Sequence, residues 1–226
     1  MQQRDFHSIK RTFKRAMTDV LAEGGSPALS EAALPAYSHR NPLVDLIFWQ
    51  RLKIAADQLR SPKKLKIVDF GCGSGVMSSL LAQMGHEVIA VDVDFAPLER
   101  VRKHVDFPSN ISFHNKDLAE LELPPGSVDA IVALDVLEHI HDFEAYLSLF
   151  LRILKPGGRI VVSGPTENWL YKLGRKLAGK EFSGDYHETD IASIRAAFAR
   201  RLDVKVHARL IWPFTLFEIF SVQKPN

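Results

Sequence analysis

The sequence predicts an α/β protein with a mostly parallel sheet and a helical extension at its N-terminus. Three observations lead there. Short apolar runs, among them Leu65 to Phe70, Val88 to Val91 and Val128 to Leu134, have the length of buried strands. Segments of helical period lie between them. The first crossover is a turn with three glycines, Gly71, Gly73 and Gly75, separated only by Cys72 and Ser74. Glycine lets the chain turn tightly there and lets a ligand approach the main chain without meeting a Cβ. The helix behind the turn points free N–H groups and the positive end of its dipole into the same space.

The elements follow in order. Arg4 to Glu23 is expected to be helical, because Phe6, Ile9, Phe13, Met17 and Val20 or Leu21 recur at steps of three and four. Lys10, Arg11, Lys14 and Arg15 populate the other side. This helix either packs its aromatic stripe on the domain, or meets anionic lipid with its basic face, or caps a site. Gly24-Gly25-Ser26-Pro27 stops it, and Ser26 to Arg40 reads as a linker. Asn41 as N-cap and Pro42 at the first helical position open a second helix. It runs to about Leu59, with Val44, Ile47, Phe48, Leu52, Ala55 and Leu59 on one face. Ser61-Pro62 ends it.

The glycine turn leads into a helix with Val76, Leu80, Leu81 and Met84 apolar, then a strand ending in Asp92. Pro97 begins the next helix, to about His104, and Ile111 to His114 is a short third strand. Val128 to Leu134 is the fourth, apolar on both faces apart from Asp129, as a central parallel strand should be. Asp142 caps a helix to Leu154, Lys155-Pro-Gly-Gly stops it, and Arg159 to Ser163 is the fifth strand. Thr189 or Asp190 caps a helix to about Arg200. Leu202 to Ala208 and Leu216 to Val222, joined by Ile211-Trp212-Pro213-Phe214, form an antiparallel edge pair.

The glycine spacing decides what the first turn holds. A dinucleotide fingerprint reads G-x-G-x-x-G, whereas this turn reads G-x-G-x-G, and no Lys-Ser/Thr follows to make a P-loop. Asp69-Phe-Gly-Cys-Gly-Ser-Gly resembles the first motif of the class I S-adenosylmethionine-dependent methyltransferases. Asp92 lies 21 residues after Gly71, at the end of the second strand. An acid at that place accepts hydrogen bonds from ribose hydroxyls. Leu154-Lys-Pro-Gly-Gly matches another family pattern. Leu134-Asp-Val-Leu-Glu-His139 is close to the version found in quinone-biosynthesis methyltransferases. The resemblance spans about Leu65 to Val222; the first 60 residues carry no specific motif.

The resemblance implies a Rossmann-like, seven-stranded sheet of order 3-2-1-4-5-7-6 with the last strand antiparallel. Residues 1–60 would be an N-terminal helical extension or lid, and 61–226 the methyltransferase domain, with a cap insertion at about 164–188. The implied cofactor is S-adenosyl-L-methionine. Asp69, Gly71, Cys72, Gly73, Asp92, Val93, Asp117, Leu118, Leu134 and Asp135 would contact it. Asp69 would hold the loop, and the methionyl amine through water. Asp117 would take the adenine amine and the Leu118 N–H a ring nitrogen, one acceptor beside one donor. Leu134 and Asp135 would line the methyl end. Tyr37, His39 and Arg40 are candidates for a lid.

The expected reaction is O- or C-methylation of a small molecule, lipid-like or aromatic with an apolar tail. Where the acceptor must lose a proton, His139 and His187 are the candidate bases. Asp135, Glu138 and His139 at i, i+3 and i+4 could hold a metal, but that spacing is common and no metal is assigned. A methyltransferase-like protein that binds cofactor or partner without turnover is the first rival; an NAD-dependent dehydrogenase is the weaker one.

Composition trims other classes. A net charge of +2, from 29 basic and 27 acidic residues, gives no support for nucleic acid. The single cysteine rules out an internal disulfide and suits a reducing, cytoplasmic setting. Cytosine C5 methylation needs a cysteine nucleophile, and Cys72 sits in the cofactor loop. The Asn/Asp-Pro-Pro-aromatic motif of amino-group DNA methylases is replaced by LDVLEH. No signal peptide or run long enough to span a bilayer is visible. Trp169 to Lys180 alternates Trp169, Leu170, Tyr171, Leu173 and Leu177 with Lys172, Arg175, Lys176 and Lys180. That pattern fits either a peripheral membrane contact or a cap on the core.

Overall fold

A computed structural model describes residues 3–24, 34–39, 41–166, 189–210 and 216–226. Three helices come first: α1 (Gln3–Ala22), α2 (Leu34–Tyr37) and α3 (Pro42–Asp57). Then follow β1 (Lys66–Phe70), α4 (Val76–Gln83), β2 (Glu87–Asp92), α5 (Ala96–Val101), β3 (Ile111–Asn115) and β4 (Val128–Leu134). The chain continues through α6 (Phe143–Ile153), β5 (Leu154–Pro165), α7 (Ile191–Ala199), β6 (Val204–Leu210) and β7 (Phe217–Gln223). Short 3₁₀ turns, Leu118–Leu121 and Leu137–His139, follow β3 and β4.

The sheet has seven strands in the order β3-β2-β1-β4-β5-β7-β6. Neighbours from β3 to β5 are parallel, and β7 runs antiparallel to both β5 and β6. This is the expected topology. Sheet residues alternate between two cores, as the two-residue period of a strand requires. Ile67, Val88, Ala90, Val132 and Val161 face α1 to α5, while Val68, Val91, Ile131, Ala133 and Val162 face α6 and α7.

The caps form where the sequence places them. Asn41 accepts from the Leu43 N–H at 2.9 Å, and Asp190 from the Ser193 N–H at 2.7 Å. The α1 stripe is buried: Phe6, Ile9, Phe13, Met17 and Val20 all join the core on one face of the sheet. Two of the basic residues opposite that stripe are not a free face. Lys10 and Lys14 each reach Asp45 of α3 at 2.5 Å. Burial alone would raise the Asp45 carboxyl, but the two lysines outweigh it and hold it below its ordinary value.

Three local features depart from the sequence reading. The linker contains a helical turn, α2, with Leu34, Pro35, Ala36 and Tyr37 all buried. β5 is longer than expected, because Leu154 pairs with Val128 ahead of a register shift. In α3, Trp49 and Arg51 are buried although neither lies on the expected apolar face. Arg40, the 169–180 stretch, His187 and Trp212 lie outside the described residues. Among the described residues, no helix is long and apolar enough to cross a membrane.

Candidate functional site

A parallel sheet places its ligand crevice beyond the carboxyl ends of the strands, where the order reverses. Here that point lies between β1 and β4, and the glycine turn closes it from one side. Gly71, Gly73 and Gly75 all have positive φ, at +72°, +50° and +79°. The turn is tied to β2: Gly71 and Cys72 donate to the Val91 carbonyl at 2.9 and 3.1 Å. A Cβ on Gly71 would stand 2.5 Å from Val136 Cγ2, and one on Gly75 2.7 Å from a Phe107 ring carbon. Gly71 therefore allows close packing of the turn against the segment after β4, and Gly75 against Phe107, between α5 and β3.

Asp92 ends β2 at the crevice and is half-buried. Its carboxylate accepts from the Gly73 N–H at 2.7 Å and the Asp94 N–H at 3.1 Å. Burial pushes this carboxyl up, and those N–H donors oppose the shift. Neighbouring Val93 is 73% exposed. Asp117, after β3, caps a 3₁₀ turn by accepting from the Ala119 N–H at 2.8 Å. It also accepts from the Tyr146 hydroxyl on α6. Tyr146 in turn packs on Phe70, with ring centroids 5.1 Å apart. Leu118 is buried at the start of that turn, where a helical segment leaves its N–H unpaired by its own ladder.

Asp69 lies beneath the glycine turn, 2% exposed, and accepts from Ser78 Oγ at 2.5 Å. Burial raises its carboxyl to about 7, against the pull of Ser78, and the nearby Asp92 charge adds to the rise. Cys72 is buried and its thiol is pushed up by burial, so it stays a thiol and serves packing.

The residues that the resemblance expects at the methyl end lie on the turn after β4. Asp135 has φ +54°, one of two described non-glycine residues in the left-handed region. Its N–H donates to the Ser163 carbonyl at 2.9 Å. Its carboxylate pairs with Arg51 of α3, a residue the sequence reading did not single out. Arg51 is fully buried and its Nη2 donates to the Tyr37 hydroxyl at 2.9 Å. The guanidinium lies between the Phe48 and Phe217 rings, 4.9 and 4.7 Å from their centroids. Burial acts against its charge, but Asp135, Tyr37 and Glu138 more than offset that. Leu134 is half-buried beside Asp135, Glu138 is buried, and His139 is exposed at the rim. The three residues Asp135, Glu138 and His139 do not share a helical face, since Asp135 precedes the 3₁₀ turn. Among the described residues, no group of three or more His, Cys, Asp or Glu could hold a metal.

The structure thus brings Asp69, the glycine turn, Asp92, Asp117, Leu118, Leu134 and Asp135 to one end of the sheet. The acceptor set fits a nucleoside with hydroxyl and amine groups. Carboxylates at Asp92 and Asp117 accept such donors and would repel a pyrophosphate.

Comparison with known proteins agrees with this geometry. A model described as a methyltransferase domain matches residues 68–162. A Mycolicibacterium smegmatis protein named "Probable S-adenosylmethionine-dependent methyltransferase" is 37% identical over 99 residues, 44% of this chain and 37% of its own. A ubiquinone biosynthesis O-methyltransferase of Cupriavidus pinatubonensis is 30% identical over 172 residues, covering 70% of this chain and 68% of its own. The first two curated relatives are spanned over less than half of their length, 37% and 45%. An S-adenosylmethionine-dependent methyltransferase structure from Mesorhizobium loti superposes with a TM-score of 0.56 at 18% identity, over 78% of this chain and 97% of that one. That likeness is one of fold. The Cupriavidus match extends well beyond the nucleotide half of the sheet, and with the motif residues assembled at one crevice it settles the family: this chain belongs to the class I S-adenosylmethionine-dependent methyltransferases.

Proposed function

We propose that this protein transfers a methyl group from S-adenosylmethionine to a small molecule, lipid-like or aromatic with an apolar tail, at oxygen or carbon. One observation carries the reading. Two carboxylates, Asp92 and Asp117, stand at the crevice end of the sheet beside a glycine turn whose Gly73 N–H already donates to Asp92. The substrate class rests on the ubiquinone O-methyltransferase relatives at about 30% identity.

In this reading Asp92 takes the ribose hydroxyls, with Val93 beside it. Asp117 and the Leu118 N–H take the adenine edge. Gly71, Cys72 and Gly73 face the amino-acid part through their main chain, above Asp69. The bound cofactor supplies an activated methyl on a positively charged sulfur. The residues of this chain then orient, exclude water and hold protons. Alignment is the largest contribution open to them, roughly 7–11 kcal/mol for well-placed reactants. Leu134 and Asp135 border the methyl end. His139, exposed on the turn after β4, is the candidate to accept a proton from an acceptor hydroxyl; His187 is the second candidate. The N-terminal extension, with the buried Tyr37, would cover the acceptor side. The 169–180 stretch is the candidate for contact with a membrane surface.

Transfer of labelled methyl from S-adenosylmethionine to a panel of catechols and phenols with and without isoprenoid-like tails tests the reading. Transfer to a tailed phenol is expected. Cofactor binding with no transfer to any acceptor would favour a binding protein without turnover. For the membrane contact, co-sedimentation with anionic vesicles at low salt is expected, and its absence would leave 169–180 as a cap.

A further inference from the structure

A buried arginine joins the N-terminal extension to the cofactor crevice. Arg51 is 0% exposed, the only basic residue among the described buried side chains apart from His86. It reaches from α3 to the turn after β4, pairs with Asp135, and is clamped between Phe48 of α3 and Phe217 of β7. Another polar partner, the Tyr37 hydroxyl, belongs to α2. Tyr37 is itself fixed, because its carbonyl accepts from Trp49 Nε1 at 3.1 Å. Every element of the extension is therefore wired to this guanidinium: α2 through Tyr37, α3 directly, and α1 through the Lys10 and Lys14 pairs to Asp45.

Asp135 needs such support. A left-handed conformation is unfavourable for a residue with a Cβ, and Asp is among the few that adopt it. Its next neighbour, Val136, is the residue whose side chain lies against Gly71. The turn that Asp135 begins thus touches the glycine cradle directly. Removing Arg51 would also leave the half-buried Asp135 carboxylate without its counter-charge, which is costly.

We propose that Arg51 is a positioning residue: it holds the Asp135 carboxyl and its left-handed backbone in place at the mouth of the crevice, so that docking of the N-terminal extension and completion of the site are one event. The proposal rests on the cofactor assignment above. Through Asp135, Arg51 sets how strongly the mouth of the crevice favours a positive sulfonium over the neutral thioether left after transfer. Arg51 from the extension, His139 from its own turn and Ser163 from β5 act on Asp135 directly, and Tyr37 is coupled to it; Glu138 acts on Arg51, and Asp69 of β1 on Tyr37.

Calorimetric titration of the full chain with S-adenosylmethionine and with S-adenosylhomocysteine, from pH 6 to 9, tests this. Asp69 acts on the sulfonium as well as on the shared amino-acid group, so each variant's affinity ratio is read relative to the wild type at the same pH, where that contribution is common. In R51M, the Asp135 carboxyl loses its counter-charge and is pushed further up, so this relative ratio should rise with pH by about tenfold. In R51M/D135N it should be flat again; Asn keeps the left-handed preference while removing the charge. A flat ratio in R51M, equal to wild type, overturns the proposal, as does a pH dependence that survives in the double variant. Should R51M alone not fold, the double variant decides. A pair that acts together should regain a cooperative fold when both charges are removed, and loss of the fold in both would overturn it. Failure of the wild type to bind either ligand would instead refute the cofactor assignment.

Discussion

Replacing Gly71 with alanine tests the packing of the cofactor turn. Two costs are separable. The backbone at φ +72° disfavours any Cβ, by about 1–2 kcal/mol. The added methyl would also meet Val136 Cγ2 at 2.5 Å and Val136 Cβ at 2.7 Å. Forcing a methyl into a packed site costs about 1–3 kcal/mol. The sum is about 2–5 kcal/mol. With a urea m-value of about 2 kcal/mol/M, the unfolding midpoint should fall by about 1–2.5 M. Gly126 supplies the control. It has φ +62° with nothing within 4 Å of a built Cβ, so G126A carries the backbone cost alone. Urea unfolding followed by circular dichroism measures both variants. G71A/V136A should recover part of the difference, since it removes the nearest atom and leaves the Cβ contact. Equal losses in G71A and G126A would refute the claim that the turn packs directly on the segment after β4.

Further expectations concern charge. Asp69 holds its proton to about pH 7 in the folded chain, against an ordinary carboxyl near 3.8. The folded state therefore binds the proton more tightly, and this contribution is fully present below about pH 4 and lost as pH rises through about 7. The wild type without ligand should lose about 4 kcal/mol relative to D69N across that window, and parallel stability curves for the two would contradict the buried placement. D45A should cost about 1 kcal/mol by releasing Lys10 and Lys14 from α3. That loss should shrink in 1 M salt, and a salt-independent loss would point to packing instead. Y146F should leave Asp117 free of one donor while keeping the ring on Phe70. S-adenosylhomocysteine affinity should then change far less than in D117A, and equal losses would make Tyr146 the adenine contact itself.

The sheet was legible because its strands are short apolar runs between periodic helices, and each of the seven strands forms at or near its expected position. The nucleotide end was legible for a related reason. Turn glycines, strand-end acids and an acid-capped turn are local features, fixed by what the backbone does within a few residues. What the sequence concealed is tertiary. Arg51 sits in a helix whose expected apolar face omits it, so a pattern argument places it in solvent. It is buried because α3 packs between the other helices and the sheet, where Asp135 is 84 residues further along the chain. Tyr146 was hidden similarly, since its partner Asp117 lies 29 residues away. Lys10 and Lys14 read as part of a basic face opposite the aromatic stripe, but both pair with Asp45 of α3. The turn α2 has four residues and cannot display a helical period at all. Pairings across 29 or more residues leave no local trace in the sequence, whereas turn chemistry does.

The central claim is that the crevice at the carboxyl ends of β1, β2 and β4 holds a nucleoside through carboxylates rather than a pyrophosphate through a glycine-rich loop. Calorimetric titration of the purified chain with S-adenosylhomocysteine and with NAD, repeated on D92A, tests it most directly. Micromolar binding of S-adenosylhomocysteine, none of NAD, and a loss of roughly one to two orders of magnitude in D92A are expected. Binding of NAD, or unchanged S-adenosylhomocysteine affinity in D92A, would contradict the account.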